Sequence, residues 1–161
     1  MKMVKQAIST AAVLFLALVL TAAAGYSQPA DMGGWEEGGE YNRLYAASEL
    51  DRLKCTIDKV IEVEPMAGMA PGIALLVKDA DGEKITVHVG PKWFLGDSIG
   101  FKRGDEVKIR GAWAEIEGQE VFMAAKIKKG DFAELKVRLT KDGKPFWTMT
   151  PEELARERNS E

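Results

Sequence analysis

The one histidine of the chain, His88, stands in the run Val-His-Val-Gly-Pro-Lys-Trp-Phe, residues 87–94, beside Lys92, Trp93 and Phe94. An imidazole next to a lysine and two aromatic rings can hydrogen-bond, neutralise and stack on a ligand. On alternating backbone His88 shares its parity with Lys84 and Thr86, so it is expected on the outer side, opposite Val87 and Val89. Further along, Lys102, Arg103, Lys108 and Arg110 alternate with apolar residues, Lys126, Lys128 and Lys129 recur in the following run, and Trp113 lies between. On neighbouring strands these cations would form one basic patch, the electrostatic footprint of an anionic polymer. The candidate ligand-binding surface is therefore His88, Lys92, Trp93, Phe94, Lys108, Arg110 and Trp113. Plainer readings stand beside it. Trp93 and Phe94 can plug an open barrel end, Trp113 can cover a hairpin, and the cations can belong to a mixed solvated face with Glu106, Glu115, Glu117 and Glu120.

Catalytic chemistry has little to work with. A single histidine and a single cysteine, far apart in sequence, suggest no nucleophile-base pair, and no two carboxylates are set apart by spacing as an acid-base pair. His88 has no second nitrogen or thiol at ligand spacing, so no metal site and no cofactor are expected. Cys55 falls on the same parity as Leu53 and Ile57, which predicts burial as a small hydrophobe. The chain is read as non-enzymatic.

The elements that must position these residues are short and alternating. A strand over 54–63 carries Cys55, Ile57, Ile61 and Val63 on one side, with a bulge expected at Val60, where the parity breaks. Residues 73–78 and 84–89 flank Asp81-Gly82, a hairpin signal, and 106–112 is followed by a hairpin tip at Glu117-Gly118-Gln119. Val121, Met123, Ala125 and Ile127 are expected as the inward row of the returning strand, and residues 134–140 alternate again. Thr150-Pro151-Glu152-Glu153 opens a short helix with a capping box.

Outside this run, Lys2 and Lys5, the apolar stretch Ala11–Leu20 and Ala22-Ala23-Ala24 read as a signal peptide over residues 1–24. The stretch is short for a spanning helix, so no stable membrane span is expected after cleavage. Residues 25–48, rich in Gly and acidic groups, are expected to be a flexible leader, residues 49–149 the domain, and residues 150–161 a helical tail. The formal net charge of −3, made more negative by loss of Lys2 and Lys5, argues against general polyanion or nucleic-acid binding.

Five core strands with a connector between the third and fourth give the layout of the OB-fold. The fold class expected is all-β, a small five- to six-stranded OB-fold barrel with a short connector helix or loop and a short C-terminal helix. The segments PGIALLV, ITVHVGPKWFL, GDEVKIRG and LTKDGKPFW resemble a group of exported bacterial OB-fold proteins of unknown function, marked by Val-His-x-Gly-Pro-x-Trp and Gly-Asp-x-Val. A more distant similarity is to the periplasmic OB-fold haem chaperones. Their haem-bearing histidine has no counterpart in residues 125–132, so the haem site does not carry over. The resemblance implies the fold; with the signal peptide and the absence of a catalytic arrangement, the reading is a periplasmic or secreted, non-catalytic binding module with a protein or glycan partner in the cell envelope. The alternative is a structural partner of an envelope or redox complex, packing through the leader and the Trp147 segment.

Overall fold

A computed structural model describes residues 31–160. Six strands, β1 (Leu50–Val63), β2 (Gly72–Asp79), β3 (Lys84–Pro91), β4 (Glu106–Ile116), β5 (Gln119–Lys129) and β6 (Ala133–Lys136), form one sheet in the order β3-β2-β1-β4-β5-β6. The sheet curls until β3 meets β5 in parallel, Val87 opposite Phe122 and His88 opposite Met123, closing a ring. A helical turn, α1 (Lys92–Leu95), connects β3 to β4, and a helix, α2 (Pro151–Asn159), ends the chain. This is the OB-fold arrangement, with β6 added at the outer edge of β5.

Closure requires one strand to serve two neighbours. The fourteen-residue β1 does so by pairing Leu50–Thr56 with β4 and Cys55–Val63 with β2, and the register shifts between Ile57 and Lys59. The bulge that parity placed at Val60 thus sits at Asp58, where it bends β1 from one neighbour to the next. The tip between β4 and β5 is set by Glu117 at φ 51° and Gly118 at φ 78°. Two consecutive positive angles are what a two-residue hairpin needs to match the strand twist.

Leu53, Cys55, Ile57, Leu75, Val77, Val87, Val107, Ile109, Phe122 and Ile127 fill the interior. In β5 the expected inward row is interrupted: Arg110 faces Lys126 but Gly111 faces Ala124, leaving Ala125 as an extra residue. Phe122 therefore joins Val87 on the inner side, while Met123 lies level with His88 on the outer one. Truncating Val87 or Val107, both nearly solvent-free, to Ala is expected to cost about 1–3 kcal/mol in a denaturant melt. The outward neighbours Thr86 and Lys108 should tolerate Ala within about 0.5 kcal/mol. A reversed ranking would contradict the register.

The outer side of the sheet is covered around His88 and Ala74. Trp35, Tyr41 and Trp147 are 0–1 % exposed and pack edge to face, with ring centroids 4.9 Å apart for Trp35–Tyr41 and 5.5 Å for Trp35–Trp147. Trp35 Nε1 donates to Ala70 O at 2.9 Å, Trp147 Nε1 to Trp35 O at 2.8 Å, and Asn42 Nδ2 to Trp35 O at 2.8 Å. Gly72 leaves room for this: a Cβ there would lie 2.6 Å from the Trp35 ring. The expectation of a flexible leader is corrected for residues 31–48, because a few large aromatic side chains tie a Gly-rich segment into a second core layer. The expected signal peptide and residues 25–30 lie outside the described residues. Trp147 is itself buried and presents no ring to a partner. In α2 the expected capping box is present: Glu153 N donates to Thr150 Oγ1 at 3.2 Å, and Thr150 N to Glu153 Oε2 at 2.8 Å.

Candidate functional site

His88 is the clearest departure from the sequence reading. It does project from the outer side of β3, but the 31–48 segment covers it and leaves it 6 % exposed. Its Nδ1 shares a 3.1 Å hydrogen bond with the Tyr41 hydroxyl, and the two rings stack with centroids 5.9 Å apart. Burial, reinforced by the charge of Arg138, pushes its pKa down to about 4, so the imidazole is neutral at pH 7. Burial pushes the Tyr41 phenol up to about 12. His88 is a packed structural residue and not part of an exposed ligand surface.

Arg138, 3 % exposed, completes this cluster. Its guanidinium carbon lies 4.7 Å from the Trp147 ring centroid, 5.7 Å from Tyr45 and 5.9 Å from Tyr41, and Nη1 donates to Gly143 O at 3.2 Å. Aromatic faces substitute for a carboxylate partner. In OB-folds the face of the second and third strands is the usual ligand platform. Here that face is filled by the chain's own aromatic residues.

The connector residues divide. Lys92 Nζ pairs with Glu62 Oε2 at 2.6 Å. Trp93 and Phe94, both partly buried, pack against the barrel core, and Phe94 continues to Trp147 with centroids 6.0 Å apart. Trp113 rests edge-on against Phe122 at 5.0 Å and donates through Nε1 to Asp51 Oδ2 at 3.0 Å. These aromatic residues and Lys108 and Arg110 therefore do not form one surface.

Lys108 and Arg110 instead belong to a larger array. Strand register sets Arg52 opposite Arg110, Arg110 opposite Lys126 and Lys126 opposite Lys136 in one row. A second row sets Lys54 opposite Lys108 and Lys108 opposite Lys128. Five like-charged cross-strand pairs thus lie side by side on the outer face of β1, β4, β5 and β6. Glu134 bridges Lys126, Lys128 and Lys136 at 3.4–3.6 Å. Partial burial would raise its pKa, but the three lysines outweigh that and hold it below the usual carboxylate value. Arg52, Lys54, Lys108 and Arg110 form no ion pair among the described residues, and Glu106 lies at the margin, opposite Thr56. The sequence reading missed Arg52 and Lys54, although their alternation with Leu53 and Cys55 was a usable signal. Lys129 and Arg103, expected in the patch, pair with Asp105 at 2.7 Å and Asp58 at 3.8 Å instead.

Cations directly opposite one another oppose strand pairing. A face selected only for stability would alternate its charges. The array concentrates positive charge on one face of the sheet.

A groove of about 420 Å³ at one end of the array is lined by Lys54, Lys78, Lys108 and Lys128, with Asp79, Glu106 and Asp131, and reaches Cys55. Burial, then the charge of Asp79, pushes the Cys55 thiol up to about 11, so it is protonated and a poor nucleophile at neutral pH. Among the described residues no three His, Cys, Asp or Glu side chains are grouped to hold a metal ion, and no helix is long and apolar enough to cross a membrane.

Residues 49–133, more than half of the chain, match the model of the MamS/MamX magnetosome protein family. The match spans β1 to β5 and with them six of the seven cations of the array. No curated protein and no solved structure matches the chain.

Proposed function

The chain belongs to the MamS/MamX magnetosome protein family, and from that premise we propose that it is an exported, non-catalytic OB-fold interaction module that attaches to an anionic component of the magnetosome or cell envelope. The observation that carries this reading is the cationic face of β1, β4, β5 and β6, with Arg52, Lys54, Lys108 and Arg110 free of ion pairs among the described residues. The covered OB platform, the neutral His88 and the protonated Cys55 support an attachment role over a catalytic one. Nucleic acid is not the favoured anion: Trp93, Phe94 and Trp113 pack against the barrel, and the single exposed ring of Phe132 is not a platform on which successive bases can stack.

A soluble polyanion tests the face. Polyglutamate should bind the parent in a salt-dependent manner, and Lys108→Glu with Arg110→Glu should weaken it by at least about tenfold at ~50 mM salt. The same double variant should melt no lower than the parent, because it converts like-charged cross-strand pairs into opposite ones. Unchanged affinity would remove the basis of the proposal. Export is tested separately, by N-terminal sequencing of protein from the cell envelope, which should begin near Gly25. A cytoplasmic chain still beginning at Met1 would contradict it.

A further inference from the structure

At the turn that joins β5 to β6 stands Phe132, fully exposed at 102 % of its reference area. Leu50, at 40 %, is the other exposed large hydrophobe among the described residues. A phenylalanine held wholly in water contributes nothing to the core and leaves apolar area unburied. Its position is specific. Lys128 pairs with Glu134 and Lys129 with Ala133, so Phe132 projects from the tip of the hairpin whose outer face carries Lys126, Lys128 and Lys136. A single ring thus protrudes beside a broad cationic sheet.

We propose that this face docks on an anionic lipid bilayer, with Phe132 entering the boundary between headgroups and acyl chains while the basic rows meet the lipid phosphates. The inference rests on the attachment reading above and names its partner class. Four strands spaced by about 4.8 Å spread the cations over roughly 14 Å, a lateral array rather than a focused pocket. Seven cations there outnumber the carboxylates Glu134, Glu106, Asp79 and Asp131. Basic residues near an anionic leaflet are attracted within a Debye length, and an aromatic ring is favoured at the interface. An acidic protein surface could match the charge, but it would have to supply a cavity for the protruding ring. A bilayer accepts the ring anywhere.

Vesicle flotation with the full chain, as processed by the cell, decides the matter. Vesicles of phosphatidylcholine with ~30 % phosphatidylglycerol should bind at least about tenfold more tightly than phosphatidylcholine alone at ~100 mM salt. The triple variant Lys54→Gln, Lys108→Gln, Lys128→Gln should lose about a hundredfold, given a roughly fivefold contribution per cation. Phe132→Ala should lose about five- to tenfold on anionic vesicles and nothing on polyglutamate. All these side chains are exposed, so unchanged thermal midpoints would verify the fold of each variant. Equal binding to neutral and anionic vesicles, or a Phe132→Ala variant as tight as its parent, overturns the proposal. Binding to polyglutamate without binding to vesicles refutes the lipid assignment and leaves the attachment reading standing. A triple variant that keeps its affinity for both probes refutes both.

Discussion

Replacing Trp35 with Ala is expected to lower the stability of the protein by about 3–5 kcal/mol, a large share of the total for a domain of this size. The indole is fully buried, its Nε1 donates to Ala70 O, and its ring is gripped by Tyr41 and Trp147. Truncation would leave a cavity between the outer side of the sheet and the C-terminal segment, and would strand the Ala70 carbonyl without its donor. Trp35→Phe keeps most of the volume and loses the hydrogen bond, so it should fall between the parent and the Ala variant. Urea titration measures all three. A Trp35→Ala protein within about 0.5 kcal/mol of its parent would mean that residues 31–48 are not docked.

Acidification gives the second large effect. His88 has a pKa of about 4 in the folded chain, against an ordinary value of 6.5, because it is buried beside Tyr41 and Arg138. The unfolded chain therefore takes up the proton more readily than the folded one. The contribution is complete above pH 6.5 and is lost progressively as pH falls towards 4, by about 3 kcal/mol in all. His88 is the only histidine, which makes the assignment direct. Urea midpoints between pH 7.5 and 4.5 should decline for the parent and stay much flatter for His88→Gln. Glu134, held low by its three lysines, adds its own loss only at more acidic pH. Equal slopes in parent and variant would place His88 in contact with solvent.

The barrel was legible from local pattern. Alternation marked the strands, Asp81-Gly82 and Glu117-Gly118 marked two hairpins, and the position of Lys108 and Arg110 between Val107, Ile109 and Gly111 placed both cations outside. The covering layer was not legible. Trp35 and Tyr41 sit in a stretch with no apolar period, and what buries them is contact with Ala70, Gly72 and Trp147, up to 112 residues away. His88 was misread for the same reason, since parity gives the side of a sheet but not what lies over it. The full extent of the cationic face was hidden because it depends on register. Arg52 becomes part of it only once Leu50–Thr56 is known to run beside β4. The exposure of Phe132 is likewise a property of the β5–β6 turn and not of its sequence neighbours.

The most direct test of the attachment account is cell fractionation of the parent and of the Lys54→Gln, Lys108→Gln, Lys128→Gln variant in a bacterium that builds magnetosomes. The parent should be recovered with the envelope or magnetosome fraction and be released by high salt, while the variant, with the same thermal midpoint, should be found in the soluble fraction at ordinary ionic strength. A variant that stays in the particulate fraction to the same extent as the parent would contradict the claim that this face holds the protein in place.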